Sequence, residues 1–198
     1  LTDAAERNGL PIRTFADAES WEAWLAGQPP TSPGLWLKLA KKSAGRPSVT
    51  KTEAIDGALI HGWIDGQIHP FDEHWWLIRF TPRTRRSKWS AKNCRRAIEL
   101  IAQGRMAPTG RAAIDAARAD GRWDRAYESQ GNAEVPDDLA AALAAEPAAR
   151  AFFETLTGAN RYAILYRIQD AKKPETRAAR IEKFVAMCAR GETLHPKR

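Results

Sequence analysis

The stretch HGWIDGQIHPFDEHWWLIRFTPRTRRSKWS, residues 61–90, holds Trp63, Trp75, Trp76 and Trp89, half of the chain's eight tryptophans, and three of its four histidines, His61, His69 and His74. Its centre, HWWLIRFTP, is rich in aromatic and β-branched residues and closes at Pro82, as a strand does where proline withdraws a ladder donor. Asp65 and Gly66 read as a turn, so the expected strands are 67–70 and 74–81, joined by PFDE. Trp75 and Trp76 are adjacent; a strand sends them to opposite faces, and at least one belongs to a core.

Upstream, GLWLKLAKK alternates Leu35, Leu37 and Leu39 with Trp36, Lys38 and Ala40, which predicts a strand over 34–41 with one face toward solvent. FADAESWEAWLAG offers Asp17 as an N-cap and Gly27 as a stop for a short amphipathic helix. TKTEAIDGALIHGW carries a capping box, Thr50 with Glu53, and a helix ending near Trp63. Downstream of the arginines, Ser90 is placed to cap a helix with Cys94, Ala97, Ile98 and Ile101 on one side, ending at Gly104. Thr109 to Asp120 is alanine-rich, Pro136 and Pro147 open further helices, and from Pro174 the residues Ile181, Phe184, Val185 and Cys188 form a core-facing stripe. The expected fold is α+β: a small antiparallel sheet covered by helices, followed by an all-helical C-terminal portion. QGNAEVP, residues 130–136, separates a mixed portion, 1–130, from the helical one, 131–198; the pattern leaves open whether these make two domains or one.

The composition, 43% apolar and 28% charged over 198 residues, is that of a folded globular chain. Its net charge of +7 favours anionic partners. The excess is concentrated: Arg79, Arg83, Arg85, Arg86, Lys88, Lys92, Arg95 and Arg96 fall within eighteen residues that include no acid. Cys94 and Cys188 lie on apolar helix faces without a CxxC, as reduced core residues do, and a cytoplasmic location follows as the expectation. No apolar run approaches the length of a membrane span.

His61, Asp65, His69, Asp72, Glu73 and His74 would suit a metal by type, but Gly62 and the Asp65–Gly66 pair interrupt any shared helix face and HExxH is absent. No metal, no cofactor and no specific catalytic residue is expected. The candidate ligand-binding set is Arg83, Arg85, Arg86, Ser87, Lys88, Trp89, Ser90 and Asn93, with Trp63 and Asp65: forked guanidinium donors, hydroxyls and a helix N-terminus suited to phosphate. The expected partner is an anionic ligand, phosphate-containing or nucleic acid, bound through a basic loop over 83–96. Two other readings stay open: an enzyme with Asp65 and His61 or His69 as acid and base in a pocket walled by Trp63, Trp75 and Trp89, and a structural domain whose tryptophans are all core. The sequence does not set the oligomeric state.

The ordered segments ESWEAWL, GLWLKLAKK, EAIDGALIHGWIDG, FTPRTRRSKWSAKN, LIAQGRMAPTG and AKKPETRAARIEKFVAMCARGE resemble the bacterial YdeI/OmpD-associated family. Trp63, Asp65, Arg83, Ser87, Trp89, Ser90 and Asn93 fall in its signature segments, whereas His61 departs from them by standing where an aromatic or other apolar residue is usual. The resemblance implies a role in protection against bacteriocins or cationic antimicrobial peptides; it does not imply a reaction. A chain of charge +7 repels a cationic peptide at long range, so direct capture would require an acidic patch that only the fold could assemble.

Overall fold

The computed structural model describes residues 5–195. Its elements are β1 (Glu6–Arg7), β2 (Leu10–Arg13), α1 (Ala18–Ala26), β3 (Leu35–Ala40), α2 (Lys51–Ile60), β4 (Trp63–Pro70), β5 (Trp75–Pro82), α3 (Ala91–Ala102), α4 (Pro108–Ala119), α5 (Asp137–Ala144), α6 (Pro147–Thr155), α7 (Gly158–Gln169) and α8 (Pro174–Ala189), with a short 3-10 turn at Lys42–Ala44. The fold class is α+β. The chain divides into two compact units: one runs to Trp89 and resumes over Asn93–Asp124, and the other takes Ser90–Lys92 and the chain from Arg125 onward.

In the first unit the strands lie in the order β1-β2-β3-β5-β4. β3, β5 and β4 are antiparallel, as the alternation predicts. The sheet is nevertheless mixed and wider than expected, because β2 joins β3 in parallel and β1 folds back on β2. Its inner face buries Leu35, Leu37, Leu39, Ile78 and Phe80 against Trp21 and Leu25 of α1 and Ala54 and Ala58 of α2. Each such side chain contributes on the order of 2 kcal/mol of burial free energy. The caps read from the sequence are in place: the Ser20 N–H donates to Asp17 Oδ1 at 2.8 Å, and Thr50 and Glu53 close their box. Trp21 Nε1–H donates to the Ala54 carbonyl, which ties α1 to α2.

Three sequence expectations change here. Asp65 and Gly66 are not a turn; they lie inside β4, whose pairing with β5 is irregular between Asp65 and Ile68, and a glycine within a strand marks such a bulge. The second helix ends at Ile60 instead of near Trp63, because Gly62 takes a φ of +76° and turns the chain into β4. Trp36, assigned to a solvent face of β3, is 1% exposed. The added β1–β2 hairpin covers that face: Trp36 packs with Leu10, Leu77 and Ile12, and its Nε1–H donates to the Arg7 carbonyl.

The second unit is helical. Leu139 and Leu143 of α5, Phe153 of α6, Ile164 and Ile168 of α7, and Ile181, Phe184 and Cys188 of α8 share one core, so the stripe on the last helix packs as its spacing requires. Cys94 and Cys188 are both free and buried. Burial pushes both thiols up, that of Cys94 to about 11. Among the described residues no helix is long and apolar enough to cross a membrane.

Candidate functional site

The segment after β5 is held by two arginines that act on its own backbone. Arg83 Nε–H donates to the Trp63 carbonyl at 3.1 Å, and its Nη1–H donates to the Lys88 carbonyl at 3.1 Å. The same guanidinium lies 3.6 Å from the centre of the Trp89 ring, whose other neighbour, Trp123, is 4.9 Å away. Arg122 donates to the carbonyls of Thr84 and Ser87 and is bonded through Nε to Asp120. Within the loop, Thr84 N–H donates to Ser87 Oγ and Ser87 N–H to the Thr84 carbonyl. The loop is therefore set in one shape before any ligand arrives. Trp89, 2% exposed, is an anchor beneath Arg83 and offers no ring face to a ligand.

Beside this loop lies a cavity of about 340 Å³. One wall is the end of α1 and the following turn, with Leu25, Pro29 and Pro30; Trp63 stands at the start of β4; the far wall is α4, with Thr109, Ala112 and Ala116. Two glycines bring the walls together. A Cβ on Gly110 would lie 2.1 Å from the Ile60 carbonyl oxygen, and one on Gly62 would lie 2.8 Å from that of Thr109. Only glycine permits the end of α2 to meet the start of α4 this closely, and Ala107 N–H donates to the Ile60 carbonyl at the same junction.

The polar part of the lining is basic: Arg83, Arg85, Arg122 and His61, with Gln28, Thr84 and Thr109, and no carboxylate. Arg85 is exposed, whereas the guanidinium of Arg122 is bonded to the loop and to Asp120. Burial holds the His61 imidazole below its usual range, with the charge of Glu22 pulling the other way, so it is neutral near pH 7. A lining of apolar side chains beside guanidinium groups suits a small molecule that has a hydrophobic body and an anionic end.

Of the ligand-binding candidates singled out in the sequence, Arg83, Arg85 and Trp63 line this cavity, as does His61 from the acid–base reading, and Arg86, Ser87, Lys88, Trp89, Ser90, Asn93 and Asp65 do not. Arg86 and Lys88 are exposed. Ser90 directly precedes α3, but the Ala91 N–H at that helix start is taken by the Tyr127 carbonyl. The acid-free run is broken in space at Arg96, which grips Asp56 of α2 through Nε and Nη2 at 2.8 and 2.6 Å and also bonds Glu99. Asp65 pairs across the sheet with Phe80, and His69 lies edge-on to Trp36 at 5.3 Å; neither lines the cavity that His61 reaches, so the acid–base set is not assembled there. Trp75 and Trp76 do diverge: Lys38 sits over the ring of Trp75, while Trp76 packs on the inner core. No group of three His, Cys, Asp or Glu is gathered for a metal among the described residues. Sequence reasoning missed Arg122 and Asp56, which stand forty residues or so from their partners with no local pattern to announce them.

Two family models match the chain. Residues 132–191 match the one described as bacteriocin-protection, YdeI or OmpD-associated, which supports the resemblance carried by the sequence segments. Residues 13–113 match the one described as a domain of unknown function, DUF8412, and this span includes GWIDG, FTPR and SKWSAKN. Neither curated proteins nor solved structures give a match. With just over half of its length covered by that model, the chain belongs to the DUF8412 family, and its helical part carries the match to the bacteriocin-protection, YdeI or OmpD-associated family.

Proposed function

We propose that this chain is a stress-protection protein that works by binding, not by catalysis, and that its ligand in the first unit is a small molecule with an apolar body and an anionic group. The observation that carries the reading is the lining of the 340 Å³ cavity, with three arginines and no carboxylate. A cavity of this size suits a small molecule better than a polymer, which narrows the phosphate-containing or nucleic-acid partner expected from charge alone. Arg85 supplies an exposed cation, while Arg83 and Arg122 hold the loop. The match of residues 132–191 supports a protection-like role. The acid–base reading lacks support, since Asp65 and His69 lie off the cavity.

The test is calorimetric titration with benzenesulfonate, which is anionic at all relevant pH, against benzyl alcohol and benzylammonium as neutral and cationic counterparts. The sulfonate is expected to bind most tightly, and Arg85→Glu is expected to weaken it about tenfold or more, the loss of one charge-assisted contact, with an unchanged unfolding midpoint. Equal binding of the three compounds, or an indifferent Arg85→Glu variant, would overturn the proposal.

A further inference from the structure

The second unit has an open groove of about 980 Å³ along α8. Its apolar surface is made by Ile181 and Val185 with Ala142, Ala178, Ala186 and Ala189. Ile181 is buried and Val185 half-buried, whereas Ala178, Ala186 and Ala189 are exposed. Small side chains flanking an apolar floor let a second helix approach closely, and the sixteen residues of α8 give the groove a length of about 24 Å.

The charges around it decide what would fit. Both arginines of the groove are already bonded to carboxylates: Arg177 to Asp138 through two hydrogen bonds, and Arg190 to Glu192. Glu146 and Glu182 also line the groove. A neighbouring cleft of about 720 Å³, which shares Arg177, adds Glu134 and Asp137. These four carboxylates are exposed, and none makes an ion pair or hydrogen bond among the described residues. A protein of net charge +7 thus presents, at its apolar groove, unneutralised charge of the opposite sign.

We infer that the groove of the second unit is a docking surface for a cationic amphipathic helix, whose apolar stripe lies on Ile181 and Val185 and whose lysines or arginines face Glu146, Glu182, Glu134 and Asp137. This is the acidic patch that the overall charge conceals, and it makes direct capture of a basic peptide feasible at short range. The inference is independent of the cavity in the first unit.

Fluorescence anisotropy with the full chain tests it. The probe is a labelled eighteen-residue Leu/Lys peptide that forms an amphipathic helix; its controls are a Leu/Glu peptide of the same pattern and a Leu/Lys peptide scrambled to destroy the apolar stripe. Saturable binding of the first alone is expected, weakening with salt. Glu146→Gln combined with Glu182→Gln should reduce it about tenfold, and Ala186→Trp, which fills the groove, should abolish it, with unfolding midpoints showing that both variants fold. Arg85→Glu should leave it unchanged. Comparable binding of either control peptide, or retained affinity in the double glutamine variant, would overturn the inference. So would sedimentation showing that Ala186→Trp dissolves a dimer of this chain, because the groove would then belong to a second copy.

Discussion

The cavity beside β5 is lined by three arginines and no carboxylate, whereas the groove along α8 has two arginines, both bonded, and carboxylates that are not. One chain therefore carries two concave surfaces of opposite electrostatic character. A sum over the sequence, +7, describes neither. What decides the character of a surface is which charges the fold pairs off and which it leaves facing solvent. At the cavity Arg122 meets the loop carbonyls as well as Asp120 and Arg85 is left exposed, whereas both arginines of the groove are bonded to acids.

The sharpest way to break this contrast is Gly110→Ala. The added methyl group would meet the Ile60 carbonyl oxygen at 2.1 Å, so the first unit should lose about 3 kcal/mol of stability and its anion binding, while peptide binding by the second unit persists. Chemical unfolding followed at the tryptophans, seven of which precede Arg122, measures the loss. A fully stable alanine variant would mean that α2 and α4 are not in backbone contact.

Next in size are the two bidentate pairs. Asp56 is 10% exposed in its side chain where it meets Arg96, and Asp138 is 45% exposed where it meets Arg177. Asp56→Asn should cost about 2 kcal/mol and Asp138→Asn under about 1, since solvent screens the second pair. Arg177 holds the Asp138 carboxyl below the usual carboxylate range, so the contribution of that pair is present above about pH 4, the unfolded value, and is lost as pH falls through the lower folded one. Unfolding midpoints at pH 7 and pH 3 separate the cases: the Asp138→Asn deficit should shrink at the lower pH. An equal cost for both substitutions would remove the distinction drawn between the two pairs.

The smallest effect concerns His61. Its folded value lies below that of the unfolded chain, so stability declines as pH drops below about 6.5, where the unfolded imidazole gains a proton that the folded one resists. A bound anion favours the protonated ring, and benzenesulfonate binding should therefore tighten a few-fold from pH 7 to pH 5 with net proton uptake. Titrations in buffers of different ionisation enthalpy report that uptake, and its absence would take His61 out of the site.

The fold was legible wherever a pattern was local. The Thr50–Glu53 box, the Asp17 cap, the alternation through Leu35, Leu37 and Leu39, and the α8 stripe are each written within one or two turns of chain. Asp65–Gly66 misled because the same dipeptide serves a hairpin turn or a bulge, and only the partner strand chooses. The parallel β2–β3 pairing joins Ile12 to Trp36 across an intervening helix, and no spacing rule marks it. At the site, Arg83 and Arg85 were visible as a basic cluster, but the cluster did not reveal that Arg83 is a clamp on Trp63 and Lys88 while Arg85 faces the cavity.

By itself the sequence determined the capped helices and the inward Leu face of β3, because capping and periodic burial depend on residues two to four apart. It also determined the supply of charge. The tertiary structure alone decided where that charge acts, since pairing Arg96 with Asp56, Arg177 with Asp138 and the loop carbonyls with Arg122 requires groups some forty residues apart to meet within hydrogen-bonding distance. Electrostatic character falls off over ångströms in space and is blind to separation along the chain.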